Sequence, residues 1–158
     1  MNAIKPKMRP LKIKSGQKRD VRTQFGTLCY RVQNDKVQIL LVTSRGTGRW
    51  IMPKGWPMHG ATPIQAAARE AWEEAGVEGK IMGNAIGIYS YNKLEDKKDD
   101  LPCIVAIFPM KVQRLADDYP EVSMRRRKWF SIEKAAAKLD EPELRQIVRS
   151  FDPRLLVR

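Results

Sequence analysis

Glu70, Glu73 and Glu74 stand three and four residues apart in the run GWPMHGATPIQAAAREAWEEAGV, residues 55–77. On a helix that spacing brings carboxylates within a few ångströms of one another, and each like-charge pair costs about 0.2–0.5 kcal/mol. A divalent cation removes that cost. Magnesium favours hard oxygen ligands, keeps several waters, and is commonly shared between one or two carboxylates and substrate phosphates. The cluster is therefore a candidate Mg2+ site and points to phosphate chemistry. Three glutamates alone would more often be the solvated face of an amphipathic helix. The context changes that reading, because Trp50, Pro53, Lys54 and Gly55 form a tight, glycine-containing approach just upstream, and R-E-x-x-E-E-x-G follows from Arg69 to Gly76.

The same stretch carries the signals of one helix. Thr62 can cap its start, Pro63 suits the first helical position, and Gln65 completes a capping box. Gly76 fits the left-handed position that ends it. At about 100° per residue, Ile64, Ala68, Ala71, Trp72 and Ala75 form the stripe expected to face a core, with the three glutamates opposite.

A chain of 158 residues is long enough for one domain with a real core and too short for two. Its formal charge of +12 calls for polyanionic partners: phosphorylated small molecules, nucleic acid or an anionic surface. Cys29 and Cys103 lie inside separate apolar runs and read as buried free thiols, which suits a reducing cytoplasm. With His59 as the single histidine and no C-x-x-C pair, zinc has almost no ligands. No run approaches the roughly 20 apolar residues of a membrane span.

Residues 1–20 are basic and poor in apolar side chains, a flexible arm ahead of a single domain over residues 21–158. Nothing aromatic interleaves the charges of the arm, so nucleic acid is a possible partner but not the favoured one. Phe25–Val32 and Val37–Thr43 read as a hairpin around a polar turn. Ser44–Arg49 is a glycine-bearing loop that brings Arg45 and Arg49 close to the proposed metal site. Ile81–Tyr91 reads as one strand, Asn92–Asp100 as a solvent loop, and Leu101–Val112 as a strand whose Pro102 and Pro109 suggest an edge or a bulge. A short strand at Lys128–Phe130 precedes two helices, one capped by Ser131 and one started by Asp140 and Pro142.

The residues from Gly55 to Val77 resemble the Nudix box, G-x5-E-x7-R-E-U-x-E-E-x-G-U with U a bulky apolar residue: Gly55, Arg69, Glu70, Glu73, Glu74, Gly76 and Val77 match in register. Ala61 stands where the box has its first glutamate, and Ala71 is small for its apolar slot. Within that superfamily the chain looks most similar to the diphosphoinositol polyphosphate phosphohydrolases, which also act on diadenosine polyphosphates. LCYR (28–31), LLVTSR (40–45), RWIMP (49–53), REAWEEAGVEG (69–79), GIY (87–89) and RRRKWFSIEKA (125–135) carry the similarity. Lys54 and Trp56 depart from the glycine triplet of that group, while P-K-G resembles diadenosine tetraphosphate hydrolases.

The resemblance implies an α/β (α+β) fold, the Nudix α/β/α sandwich, with a mixed sheet, the box helix and a C-terminal helix. It implies a Mg2+- or Mn2+-dependent pyrophosphohydrolase that cleaves a phosphoanhydride in a polyphosphorylated small molecule. Glu70 and Glu74 would hold the metal, with Glu73 as proton acceptor or outer ligand and the Gly55 backbone contributing. Arg69, which loses its usual partner at Ala61, can reach Glu73 four residues on. Arg22, Arg45, Arg49, Lys54, Gly55 and Arg126 are the candidate substrate contacts, Arg126 coming from the dense positive run Arg125–Lys128. Alternatives are a 5′-pyrophosphohydrolase of RNA and a nucleotide- or RNA-binding module without turnover.

Overall fold

The computed structural model describes Pro10 and residues 22–93 and 101–156. Apart from Pro10, the basic arm lies outside the described residues, as do 94–100 of the expected solvent loop. The strands are β1 (Arg22–Gln33), β2 (Lys36–Thr43), β3 (Trp50–Ile51), β4 (Lys54–Gly55), β5 (Val77–Ile81), β6 (Gly87–Lys93), β7 (Leu101–Leu115) and β8 (Arg127–Ser131). The helices are α1 (Pro63–Ala75), α2 (Ile132–Lys138) and α3 (Pro142–Arg149), followed by a 3-10 turn at Pro153–Leu155.

β1 and β2 form the expected hairpin, and Asn34 and Asp35 at its tip both take positive φ, the two-residue turn whose twist matches the strands. β1 then runs parallel to β7 from Arg22 to Tyr30, so the sheet is mixed. Period-two burial separates its two faces. Ile39 and Leu41 of β2 join Leu28, Tyr89, Ile107 and Phe130 under α2 and α3. Leu40 and Val42 join Cys29 and Met110 under α1. Helices thus cover both faces of one mixed sheet, the α/β/α sandwich. Cys29 and Cys103 are buried, and neither is in a disulfide.

A splay in the sheet makes room for the site. β1 pairs with β2 through Cys29–Gln33, whereas its earlier residues Phe25 and Gly26 pair with Gly55 and Lys54 of β4. β2 likewise passes its end, Val42 and Thr43, to Ile51 and Trp50 of β3. The segment 50–55 fills the wedge between the diverging strands, and Thr27 donates to the Pro53 carbonyl to hold it there.

Two strand expectations are corrected. The single strand read over Ile81–Tyr91 is two, β5 and β6, lying end to end along the same edge of β7. β7 is central rather than an edge, flanked by β1 on one side and β5 and β6 on the other, and the irregularity it carries, at Gln113 opposite Glu78 and Gly79, is at neither proline. Met82 and Ile86 donate to the carbonyls of Pro109 and Ile107, so the donor that Pro109 lacks would face the break between β5 and β6, where no ladder bond is lost.

On α1, Thr62, Pro63 and Gln65 form the complete capping box, and Gly76 closes the helix with φ 65°. The helix lacks a basic residue in its last turn, and Arg127 of β8 supplies one by donating to the Ala75 carbonyl. Its buried residues are Ala66, Ala67, Ala71, Glu74 and Ala75, a stripe turned by roughly a quarter turn from the expected one. Segment 50–55 packs on the helix flank as well as the sheet, so burial extends to Glu74 while Trp72 stays half-buried. At the start of α3, Glu141 rather than Asp140 is the capping position, and it makes no side-chain cap bond.

At Gly76 a Cβ would fall 2.4 Å from the Tyr119 ring in a left-handed conformation. Gly76→Ala is expected to cost about 2–4 kcal/mol, combining left-handed strain with overpacking. Urea melts that place the variant within about 0.5 kcal/mol of wild type, the scatter of a neutral surface change, would refute the close packing.

Candidate active site

Four alanines with no exposed surface, Ala66, Ala67, Ala71 and Ala75, let α1 lie close to the sheet. That approach carries Glu70 onto β4, where a Cβ on Gly55 would fall 2.1 Å from the Glu70 carboxyl carbon. Only a residue without a side chain fits. One turn on, Glu74 is 5% exposed and accepts from the Lys54 backbone N–H at 3.4 Å. The strand and the helix are thus joined through carboxylates and main chain.

Burial pushes the Glu70 carboxyl up to about 7, assisted by the charges of Glu73 and Glu121. It raises Glu74 to about 7 against the pull of Arg125 and Lys54. Desolvation lowers the Lys54 ammonium, and Glu74 and Glu141 oppose the shift. That ammonium sits 5.1 Å from the centre of the Tyr91 ring.

These groups line a cleft of about 800 Å³ with Arg45, Arg49, Gly55, Trp56, Glu121, Arg125 and Asp140 on its walls. Of the sequence-derived substrate contacts, Arg45, Arg49, Lys54 and Gly55 line it. Arg45 approaches Glu121 at 3.6 Å, and Arg49 holds Asp140 and Glu141 at 3.1 and 3.2 Å. Two candidates lie elsewhere. The Arg126 guanidinium sits over the Trp50 ring outside the cleft, and Arg22 pairs with Cys103 at the start of β1, its Nε buried without a hydrogen-bond partner among the described residues.

The three glutamates do not all line the cleft. Glu70 and Glu74 face the cleft, whereas Glu73 is bonded to Arg69 at 2.9 Å and does not line it. The i, i+4 reach expected for Arg69 is present, and it takes Glu73 away from the other two. The sequence reading also missed Glu121 and singled out Arg126 where its neighbour enters. Arg125 is 9% exposed by side chain and contacts Glu74, Glu121 and the Thr43 carbonyl. Alternation in the run 125–128 was the available signal, but its phase is set by pairing with β2, where Arg126 bonds the Thr43 hydroxyl through its backbone.

Among the described residues no group of three or more His, Cys, Asp or Glu side chains is placed to hold a metal ion by itself. Glu70 and Glu74, desolvated and open to the cleft, fit a cation that takes one or two carboxylates and fills its shell with water and phosphate oxygens. Charged lining residues number four of each sign: Arg45, Arg49, Lys54 and Arg125 against Glu70, Glu74, Glu121 and Asp140. Among the described residues the lining is thus formally balanced and does not share the positive excess of the chain.

Residues 22–151 match the model of the NUDIX domain family. Diphosphoinositol polyphosphate phosphohydrolase 3-alpha of Mus musculus is 33% identical over 131 residues, covering 82% of this chain and 76% of that protein. The structure of a C. elegans Ap4A hydrolase binary complex superposes with TM-score 0.64 at 25% identity, over 82% of this chain and 93% of that one. The E. coli dihydroneopterin triphosphate pyrophosphohydrolase, at 17% identity, TM-score 0.63 and coverage of 83% and 96%, shares the fold. With the box helix, the sandwich and the cleft in their places, the chain belongs to the Nudix family and is a hydrolase of phosphorus-containing anhydrides.

Proposed function

We propose that the chain hydrolyses a phosphoanhydride in a polyphosphorylated small molecule of the diphosphoinositol polyphosphate or diadenosine polyphosphate type, with Mg2+ or Mn2+ held by Glu70 and Glu74. The observation that carries this reading is the pair of desolvated carboxylates set against the Gly55–Lys54 backbone inside an arginine-rimmed cleft. The substrate class rests on the relatives, which are named for those substrates.

Phosphoanhydrides resist attack because their negative oxygens repel a nucleophile. When bound, a divalent cation neutralises those oxygens and lowers the pKa of coordinated water. The residues of this chain supply position and charge. Arg45, Arg49 and Lys54 provide charge-assisted donors for the phosphates along one wall. Glu70 is the proposed acceptor of the attacking water's proton at its cleft-facing carboxylate oxygens, since Glu73 would first have to leave Arg69. Gly55 keeps Glu70 in place by offering no side chain to displace it.

One observation favours a second reading. The formally balanced lining does not share the positive excess of the chain, which fits an RNA whose 5′ end enters the cleft while basic residues not in the lining hold its body. Phosphate release from diphosphoinositol polyphosphates, diadenosine polyphosphates and triphosphorylated RNA, measured side by side, decides between them.

Glu74→Gln is expected to lower turnover by at least about a hundredfold, the range found for key electrostatic groups, while circular dichroism stays unchanged. Activity within threefold of wild type would remove Glu74 from the metal site. Gly55→Ala tests the same site through the backbone, because its methyl group must displace Glu70. A loss of kcat with KM nearly constant is expected. Arg45→Gln should raise KM by about ten- to a hundredfold for a long polyphosphate, since a hydrogen bond to a charged group contributes about 1.5–3 kcal/mol. It should change little for a short diphosphate. Equal changes on both substrates would count against the wall assignment.

The raised carboxyls also make a pH prediction for protein kept in chelator. In the folded state Glu70 and Glu74 release their protons only near 7, against 4.5 ordinarily. The folded state thus binds the additional protons, so stability falls as pH rises from about 4.5 to about 7 and the loss is complete above that. Glu74→Gln should flatten the decline in urea melts taken across the window. A slope identical to wild type would show that Glu74 is not desolvated.

A further inference from the structure

Arg125 is the one guanidinium among the described residues that touches a proposed metal ligand. Its Nη2 lies 3.5 Å from Glu74 Oε1, its Nε 3.3 Å from Glu121 Oε1, and its Nη1 donates to the Thr43 carbonyl at 3.1 Å. The acceptors come from α1, from β2 and from the connector between β7 and β8 that also carries Arg125. The Thr43 N–H donates to the Arg126 carbonyl and the Thr43 hydroxyl accepts from the Arg126 N–H, and these two bonds fix where the neighbouring guanidinium can go. With side chains only 9% and 7% exposed, Arg125 and Glu74 are a buried ion pair, so removing one member leaves the other uncompensated.

We propose that Arg125 is a positioning residue and the internal counter-cation of this cleft: it holds Glu74 and Glu121 in place without a bound metal and competes with a divalent cation for the Glu74 carboxylate. This inference rests on the reading of Glu70 and Glu74 as cation ligands. The geometry makes the competition direct. Glu74 Oε1 faces the guanidinium, and an arriving cation needs the same carboxylate. A unit positive charge a few ångströms from the cation in a partly buried cleft weakens its binding. The same charge stabilises the metal-free cleft, where Glu70, Glu74 and Glu121 otherwise face one another. Once Glu74 turns to a cation, the donor at Nη2 is released toward the cleft, where a substrate phosphate is its natural acceptor.

The experiment measures Mn2+ affinity by calorimetry and the thermal midpoint with and without Mn2+, for wild type, Glu74→Gln, Arg125→Lys, Arg125→Met and Arg125→Gln. Arg125→Met should tighten Mn2+ binding by about tenfold, within the reach of one charge at this distance. Its midpoint should drop in chelator and recover most of the loss in saturating Mn2+, through preferential binding to the folded state. Arg125→Lys keeps the charge and should bind Mn2+ within about twofold of wild type, since the Coulomb effect remains. A purely structural arginine would lower the midpoint equally in both conditions and leave affinity unchanged, which would overturn the proposal. Arg125→Gln, neutral but still a donor to Thr43, serves if the methionine variant does not fold. Neutral variants that fold only with Mn2+ support the counter-cation role, and neutral variants that fold under neither condition overturn it. If wild type and Glu74→Gln respond to Mn2+ alike, the metal assignment itself fails, a result distinct from failure of the Arg125 role.

Discussion

The contact between the Gly55 backbone and the Glu70 carboxylate is the constraint around which the site is built. A single methyl group at position 55 would overlap the carboxyl carbon, so Glu70 can hold this position only if residue 55 carries no side chain. Close approach also requires small residues on the helix, and α1 meets the sheet through alanines with no exposed surface. These two conditions turn a flank of α1 toward the wedge between β1 and β2. A bulkier core face would hold the helix farther away and leave Glu70 and Glu74 in solvent, where their protons would be released at the ordinary carboxyl pH.

The wedge is a consequence of strand length. β1 is twelve residues long and serves two partners on the same edge, β2 along its second half and β4 near its start. Strand twist separates β1 from β2 as they lengthen, and segment 50–55 supplies the missing backbone partners for both. Its hydrogen bonds are therefore made to the fixed sheet, and Lys54 and Gly55 inherit that rigidity. This explains how a site made partly of irregular backbone can hold its geometry.

Electrostatically the cleft differs from the molecule that contains it. A chain of net charge +12 encloses a cavity whose lining has four charges of each sign. The carboxylates are costly to desolvate, and the nearby arginines offset that cost without abolishing it, since both Glu70 and Glu74 remain raised to about 7. On the proposed reading, substrate affinity and cation binding would be coupled, because a divalent cation would add positive charge to a lining whose formal charges balance. Arg45 and Arg49 are likewise not free charges; in the proposed reaction they would exchange their acidic partners Glu121, Asp140 and Glu141 for phosphate.

Local chemistry made much of this protein legible in its sequence. The capping box from Thr62 to Gln65, the left-handed Gly76 and the Asn34-Asp35 turn depend on neighbouring residues and backbone sterics, and they stand where the sequence places them. So does the spacing that makes Glu70 and Glu74 adjacent on one helix. Tertiary structure decided the phase. Helical periodicity alone put Glu73 with its neighbours and Glu74 opposite the core, but burial on two sides brought Glu74 inward and left Glu73 to Arg69. Residues remote in sequence were beyond such rules. Glu121 lies 47 residues past Glu74, and Arg125 enters the cleft while Arg126 leaves it, because pairing with β2 sets which side each residue faces. A one-residue change of register would exchange them, and no local pattern in a run of consecutive arginines can specify that register.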